Sequence, residues 1–62
     1  MFRVTIYFQR AIDSPTIENS NYRNTREEAV ELFNKLSDDY AEAMRKGVIA
    51  YFQAELLGVY AK

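Results

Sequence analysis

The side chains of this sequence that could do chemistry are carboxylates, tyrosines and arginines, because cysteine and histidine are both absent. Without these two residue types the chain cannot form a Cys–His or Ser–His–Asp catalytic site, a thiolate or imidazole metal site, or a disulfide. The two glycines, Gly47 and Gly58, are too few and too far apart for a phosphate-binding loop. Carboxylate chemistry and surface recognition are the classes that remain.

The carboxylates closest in sequence are Asp38 and Asp39, with Glu42 one helical turn after Asp38. An acid–base pair needs a cleft that drives the two pKa values apart, and a calcium loop needs alternating acids followed by a glycine. Helical periodicity instead puts all three on the polar side of a predicted helix, near Lys35 and Lys46. We therefore predict a solvated charged face, no enzymatic activity, and neither a metal ion nor another cofactor.

Tyrosine and arginine side chains recur on one face of two predicted strands. That face carries Arg3, Thr5, Tyr7, Gln9, Ile49, Tyr51 and Gln53. Aromatic and arginine side chains are enriched at protein interfaces, so we predict that this face contacts a partner protein. Because tyrosines on an open sheet can also stack bases, the alternative is a single-stranded nucleic-acid binder that uses Arg3, Tyr7, Arg10 and Tyr51.

A second candidate surface is the acidic stripe of the same helix. It consists of Glu27, Glu31, Asp38 and Glu42, which could meet a basic surface on a partner. The charge is distributed unevenly, since residues 1–26 carry net +2 and residues 27–62 carry net −3. The overall charge of −1 favours neither nucleic acid nor a cationic partner.

The element that positions these residues is an amphipathic helix predicted over Thr25–Gly47. Apolar side chains fill one arc of the helical wheel, Thr25 and Glu28 form a capping box, and Gly47 supplies a left-handed C-terminal residue. Strict alternation predicts a strand over Phe2–Gln9. Weaker patterns predict an edge strand over Thr16–Arg23, with a long ordered loop as the alternative, and a strand over Val48–Gln53. Ala54 and Glu55 then form either a tight turn into a last strand over Leu56–Ala61 or part of one long bent strand.

The simplest assembly of these elements is α+β: a two-layer ββαββ (or ββαβ) arrangement with the helix across one face of an antiparallel sheet. A right-handed crossover gives the strand order 2-1-3-4. The predicted core takes Phe2, Val4, Ile6 and Phe8 from the first strand and Val30, Phe33, Leu36, Tyr40 and Met44 from the helix. Val48, Ala50, Phe52 and part of residues 56–60 complete it.

The 62 residues make one domain, 1–62. A domain this small without disulfides or metal favours a homodimer or a stabilising partner. No apolar run approaches the ~20 residues that span a bilayer, and no signal-peptide pattern follows Met1, so we expect a cytoplasmic protein with no membrane contact. In size, in its lack of cysteine and histidine, and in element order, the chain resembles the small accessory proteins of bacteriophages and mobile elements. Many of these bind and inhibit a host protein.

Overall fold

Three strands and one helix build the fold of residues 1–58, the part of the chain that the computed structural model describes. The elements are β1 (Phe2–Gln9), β2 (Ile17–Arg23), α1 (Arg26–Arg45) and β3 (Tyr51–Gly58). Both β2 and β3 pair antiparallel with β1, so the order is β2-β1-β3, and α1 packs on one face. The α+β prediction is confirmed, in its ββαβ form, as is the place of the third strand beside the first.

The helix begins and ends where the sequence predicts. The Thr25 hydroxyl oxygen accepts the Glu28 amide N–H at 3.2 Å, and the hydroxyl donates to the Glu28 carboxylate at 2.9 Å. At the other end Gly47 adopts φ +79°. The N–H groups of Gly47 and Val48 then donate to the carbonyls of Met44 (3.1 Å) and Ala43 (2.9 Å), a Schellman motif that satisfies the last turn.

The third strand begins later than predicted, and of the predicted segment only Tyr51, Phe52 and Gln53 lie on their predicted faces. It begins at Tyr51, because the Val48 N–H caps the helix and the Ala50 N–H donates to the Gln9 carbonyl at 2.8 Å, although the register partner of Gln9 is Tyr51. Two residues thus oppose one, as in a β-bulge, and regular alternation starts only after them. Val48 and Ala50, predicted in the core, are exposed; Ile49, predicted on the outer face, is buried.

Of the two alternatives for residues 54–55, the structure has the continuous strand and not the tight turn. β3 runs without interruption from Tyr51 to Gly58, in register with Gln9 back to Phe2 of β1. The alternative of one long strand is therefore correct for residues 51–58. Residues 59–61 of the predicted fourth strand lie outside the described residues.

The core lies between α1 and the β1–β3 half of the sheet. Ile6, Phe8 and Ile49 form a buried cluster. Tyr40 of the helix spans the two strands, with its ring centroid 5.2 Å from that of Phe8 and 6.1 Å from that of Phe52. Other partly buried residues pack on the cluster: Ile17, Leu36, Ala43 and Ala54.

Two helix residues predicted in the core lie at its rim instead. Val30 is 36% exposed and Met44 is 42% exposed. The buried stripe of the helix is centred on Ala29, which is fully buried, so Val30 and Met44 fall on the flank of that stripe. Sequence periodicity gave the apolar arc correctly but not which part of it faces the sheet.

Candidate functional site

The face of the sheet that α1 leaves open carries most of the predicted contact residues, arranged in four rows across the strands. From one end the rows are Tyr22–Arg3–Leu57, Ser20–Thr5–Glu55, Glu18–Tyr7–Gln53 and Gln9–Tyr51. We call this surface the outer face. Aromatic side chains stand at both of its ends and in its middle.

A hollow of about 340 Å³ lies at the Gln9–Tyr51 end of the outer face. Tyr7 and Tyr51 flank it as diagonal neighbours, because Tyr7 is opposite Gln53 and Tyr51 is opposite Gln9. The two tyrosines are therefore not directly opposite each other across β1 and β3. The residues lining the hollow are Tyr7, Phe8, Gln9, Thr16, Tyr51, Gln53 and Glu55.

Tyr7 stands between two carboxylates, Glu18 on β2 and Glu55 on β3. Partial burial raises the pKa of the Tyr7 hydroxyl, and the negative charges of Glu55 and Glu18 raise it further, while Arg3 lowers it. A side-chain hydrogen bond with Glu55 also favours the protonated phenol. The hydroxyl therefore stays neutral at physiological pH and offers a donor beside an acidic patch.

Arg3 is half-buried between Tyr22 and Leu57, both of which are exposed. Its Nε is buried and, among residues 1–58, has no hydrogen-bond partner. The outer face thus combines a cation near the Phe2 end with carboxylates near its middle, a distribution suited to a polar partner surface rather than to an apolar one.

Two of the predicted contact residues do not lie on accessible surface. Ile49 is 6% exposed and belongs to the core cluster, because the bulge shifts the phase before Tyr51. Thr5 does point to the outer face, but it is buried there by its neighbours and its hydroxyl hydrogen-bonds that of Ser20 at 3.0 Å. A partner could reach Arg3, Tyr7, Gln9, Tyr51 and Gln53, of which Tyr51 and Gln53 are the exposed ones.

Sequence reasoning missed five members of the outer face. They are Glu18, Ser20 and Tyr22 on β2 and Glu55 and Leu57 on β3. For β3 the signal was available: alternation from Tyr51 through residue 57 places positions 51, 53, 55 and 57 on one side. For β2 the signal required the pairing register with β1, which the weak pattern of the strand did not reveal.

The acidic helix stripe is solvent-exposed at all four positions, Glu27, Glu31, Asp38 and Glu42. Only Glu42 is paired within the described chain, with Lys46 at 3.5 Å and Arg45 at 3.8 Å. These are exposed pairs of low energy. The stripe is open to a partner, and two of its acids, Glu27 and Glu31, line a surface depression.

Among the described residues no group of three or more acids converges into a metal-binding arrangement. No helix within residues 1–58 is long and apolar enough to cross a membrane. What the outer face can do is provide directional contacts through tyrosine hydroxyls, glutamine amides, carboxylates and one guanidinium. No protein-family model, curated protein or solved structure matches this chain.

Proposed function

We propose that this protein is a small, non-enzymatic protein–protein interaction module that regulates or inhibits a partner protein through its outer face. The observation that carries the proposal is the placement of Tyr7 and Tyr51 on either side of the hollow, on the sheet face opposite the helix. Tyrosines bury large amphipathic area at a low cost in conformational entropy, which is why they recur at binding hot spots. A cytoplasmic setting is part of the same proposal.

The hollow favours a partner that presents a basic side chain. Its walls offer two aromatic rings and the Glu55 carboxylate, with Gln53 and Gln9 as further hydrogen-bonding groups. A guanidinium or ammonium group can lie against an aromatic ring while it pairs with a carboxylate, and the pairing strengthens as water is excluded. The partner segment we expect is therefore a loop or strand that inserts an arginine or lysine.

The experiment is capture of partners from lysate of the source cells, followed by measurement of binding to each captured protein by titration calorimetry. The double variant Tyr7→Ala/Tyr51→Ala should lose binding at least about 30-fold, since hot-spot truncation costs about 2 kcal/mol or more. The matched control, Glu27→Ala/Glu31→Ala on the acidic stripe, should bind normally. Circular dichroism checks that both variants are folded.

If binding is lost in the acidic-stripe variant and kept in the tyrosine variant, the partner binds the acidic stripe of the helix and not the outer face. A tyrosine variant that binds every captured partner with unchanged affinity would refute the role of the outer face.

The nucleic-acid alternative is supported by the three outer-face tyrosines and Arg3, but Glu18 and Glu55 beside Tyr7 repel phosphate. A fluorescent oligonucleotide titration separates the two functions. Binding that weakens steeply with salt and requires Tyr7 and Tyr51 would establish the alternative, and its absence at low salt leaves the protein-binding proposal standing.

A further inference from the structure

β3 is an edge strand of eight residues. On the side away from β1, no other strand within residues 1–58 pairs with it. Exposed edges normally carry lysine, proline or a bulge that prevents pairing with another chain. The other edge strand, β2, is polar along most of its length. From Tyr51 to Gly58, β3 contains neither lysine nor proline, and its only charged residue is Glu55. The two edges of this sheet are therefore unequal.

The direction of the free backbone groups on β3 follows from one hydrogen bond. The Gln9 carbonyl accepts the Ala50 N–H, so the peptide groups of Gln9 and of alternate β1 residues point toward β3. Gln9 is paired with Tyr51, which means that the odd-numbered residues of β3 face β1. Phe52, Ala54 and Leu56 consequently direct their N–H and C=O groups to the open edge.

One flank of α1 lies above the open edge of β3, and apolar side chains on that flank are partly exposed. Arg23 of β2 lies with Leu32 and Lys35 around one depression, so that flank of α1 faces β2. Val30, Phe33 and Met44 lie on the opposite side of the helical wheel and therefore above the β3 edge. Val30 and Met44 are 36% and 42% exposed there.

We propose that two copies of this chain form a homodimer by antiparallel pairing of their β3 edges about a two-fold axis at Ala54, which makes a continuous six-stranded sheet. In this register Phe52 pairs with Leu56 of the second copy on the helix side, and Tyr51 pairs with Leu57 of the second copy on the outer face. A register centred on Glu55 would instead set two like charges opposite each other. The inference stands apart from the proposed function, since the outer face is open in either state.

The helices meet at the same axis. Tyr40 packs over Phe52, and two strand residues advance about 6.6 Å, equivalent to about four residues of helix. The level of Ala54 therefore corresponds to the turn that holds Ser37. About this point, antiparallel helices bring Val30 beside Met44 of the second copy and Phe33 beside Ala41 of the second copy, a large residue against a small one.

The spacing between the helices is suitable for packing. Because Tyr40 contacts both Phe8 and Phe52, α1 lies over the seam between β1 and β3. That seam is one strand spacing from the proposed axis, so the two helix axes would be about 9.6 Å apart. Packed helices lie about 8–10 Å apart. Strand register, helix register and helix spacing thus agree on one two-fold arrangement.

Sedimentation equilibrium over a concentration series tests the dimer, with the variants Val30→Lys and Met44→Glu as probes. Each places a charge against an apolar side chain at two symmetry-related points, so each should weaken dimerisation at least about 100-fold. Both positions are half-exposed in one chain, so folding should be kept, and circular dichroism verifies it. Mixing the two monomeric variants should restore a dimer, because opposite charges then meet at one contact and the native apolar pair remains at the other.

Ala54→Pro tests the strand contact separately. The Ala54 N–H points to the open edge, so proline there removes an intermolecular hydrogen bond and leaves the β1–β3 ladder intact. It should yield a folded monomer, whereas Glu18→Pro on the edge of β2 should remain dimeric. A wild-type chain that is monomeric at millimolar concentration, or a dimer that Ala54→Pro and Val30→Lys leave unchanged, would overturn the proposal. A monomeric Val30→Lys chain that still captures the partner keeps the proposed function separate.

Discussion

The four isoleucines provide a graded test of the core, because the same Ile→Val change can be made at each. Ile6 is 1% exposed, Ile49 is 6% exposed, Ile17 is partly buried and Ile12, in the turn between β1 and β2, is 84% exposed. Each substitution removes one methylene and keeps the β-branched shape that strands favour. Differences among the four variants therefore report burial alone.

The expected loss at Ile6 is about 1.2 kcal/mol. Removing a buried methylene costs about 0.8 kcal/mol in transfer free energy, and incomplete closure of the gap brings Ile→Val changes to about 0.5–1.5 kcal/mol. Because Ile6 lies on the central strand among Phe8, Ile49 and Leu36, its surroundings cannot collapse easily, and the upper half of the range applies. Ile49→Val should cost about 1 kcal/mol, Ile17→Val about half as much, and Ile12→Val less than about 0.5 kcal/mol.

These losses are measurable against the total stability. At about 0.05–0.15 kcal/mol per residue, the free energy of unfolding of a 62-residue chain is about 3–9 kcal/mol. Its unfolding entropy is about 0.13 kcal/mol/K, so the Ile6 variant should melt about 9 °C lower. Urea titrations and thermal melts should be made at one protein concentration, because self-association raises apparent stability.

The decisive comparison is Ile49 against Ile12. If Ile49→Val destabilises no more than Ile12→Val, Ile49 does not lie in the core, and the phase shift before β3 is wrong. If Ile6→Val also lowers the free energy of unfolding no more than Ile12→Val does, Ile6 is not buried and the helix does not pack over β1.

Three further predictions concern the helix ends and the outer face. Thr25→Ala removes the hydroxyl that accepts the Glu28 amide and should lower the free energy of unfolding by about 1 kcal/mol in urea; an unchanged midpoint would show that the cap contributes nothing. Gly47→Ala should cost about 1 kcal/mol through its positive φ alone, since no atom lies near an added Cβ; a stabilised variant would contradict the left-handed geometry. For Tyr7 the raised folded-state pKa means that its contribution to stability is complete below the ordinary tyrosine value of about 10 and is lost as the pH rises through the folded value. The alkaline decline in stability should therefore be smaller in Tyr7→Phe, and identical slopes in both proteins would refute the perturbation.

The parts of the fold that sequence reasoning predicted correctly are those that local interactions determine. The helix bounds follow from periodicity, the Thr25 cap and the left-handed Gly47, all within one segment. β1 follows from faultless alternation. In the strands, the departures from prediction lie at residues 48–50 and 54–55, where hydrogen bonds to β1 decide the structure. Ala50 binds Gln9, and pairing with β1 keeps Ala54 and Glu55 in the strand despite their helix propensity.

The candidate site divides in the same way. Alternation within β1 identified Arg3, Tyr7 and Gln9, but the neighbours that give Tyr7 its acidic surroundings, Glu18 and Glu55, come from both flanking strands. Their positions depend on register, which is a property of the whole sheet. Alternation therefore predicts which β1 residues share a face, whereas the electrostatic character of the site depends on the register of all three strands.

The burial of Thr5 shows how this sheet separates binding from stability. Thr5 lies on the open face, yet its neighbours on three strands cover it completely and Ser20 satisfies its hydroxyl. A short side chain on the central strand is thus buried even on the side of the sheet without a helix, whereas a long side chain such as Tyr7 reaches solvent there. It follows that a partner bound to the outer face would contact the terminal groups of tyrosine, arginine and glutamine side chains rather than the backbone of β1. The backbone that remains available for recognition is at the two sheet edges, and the β3 edge is the less polar of the two.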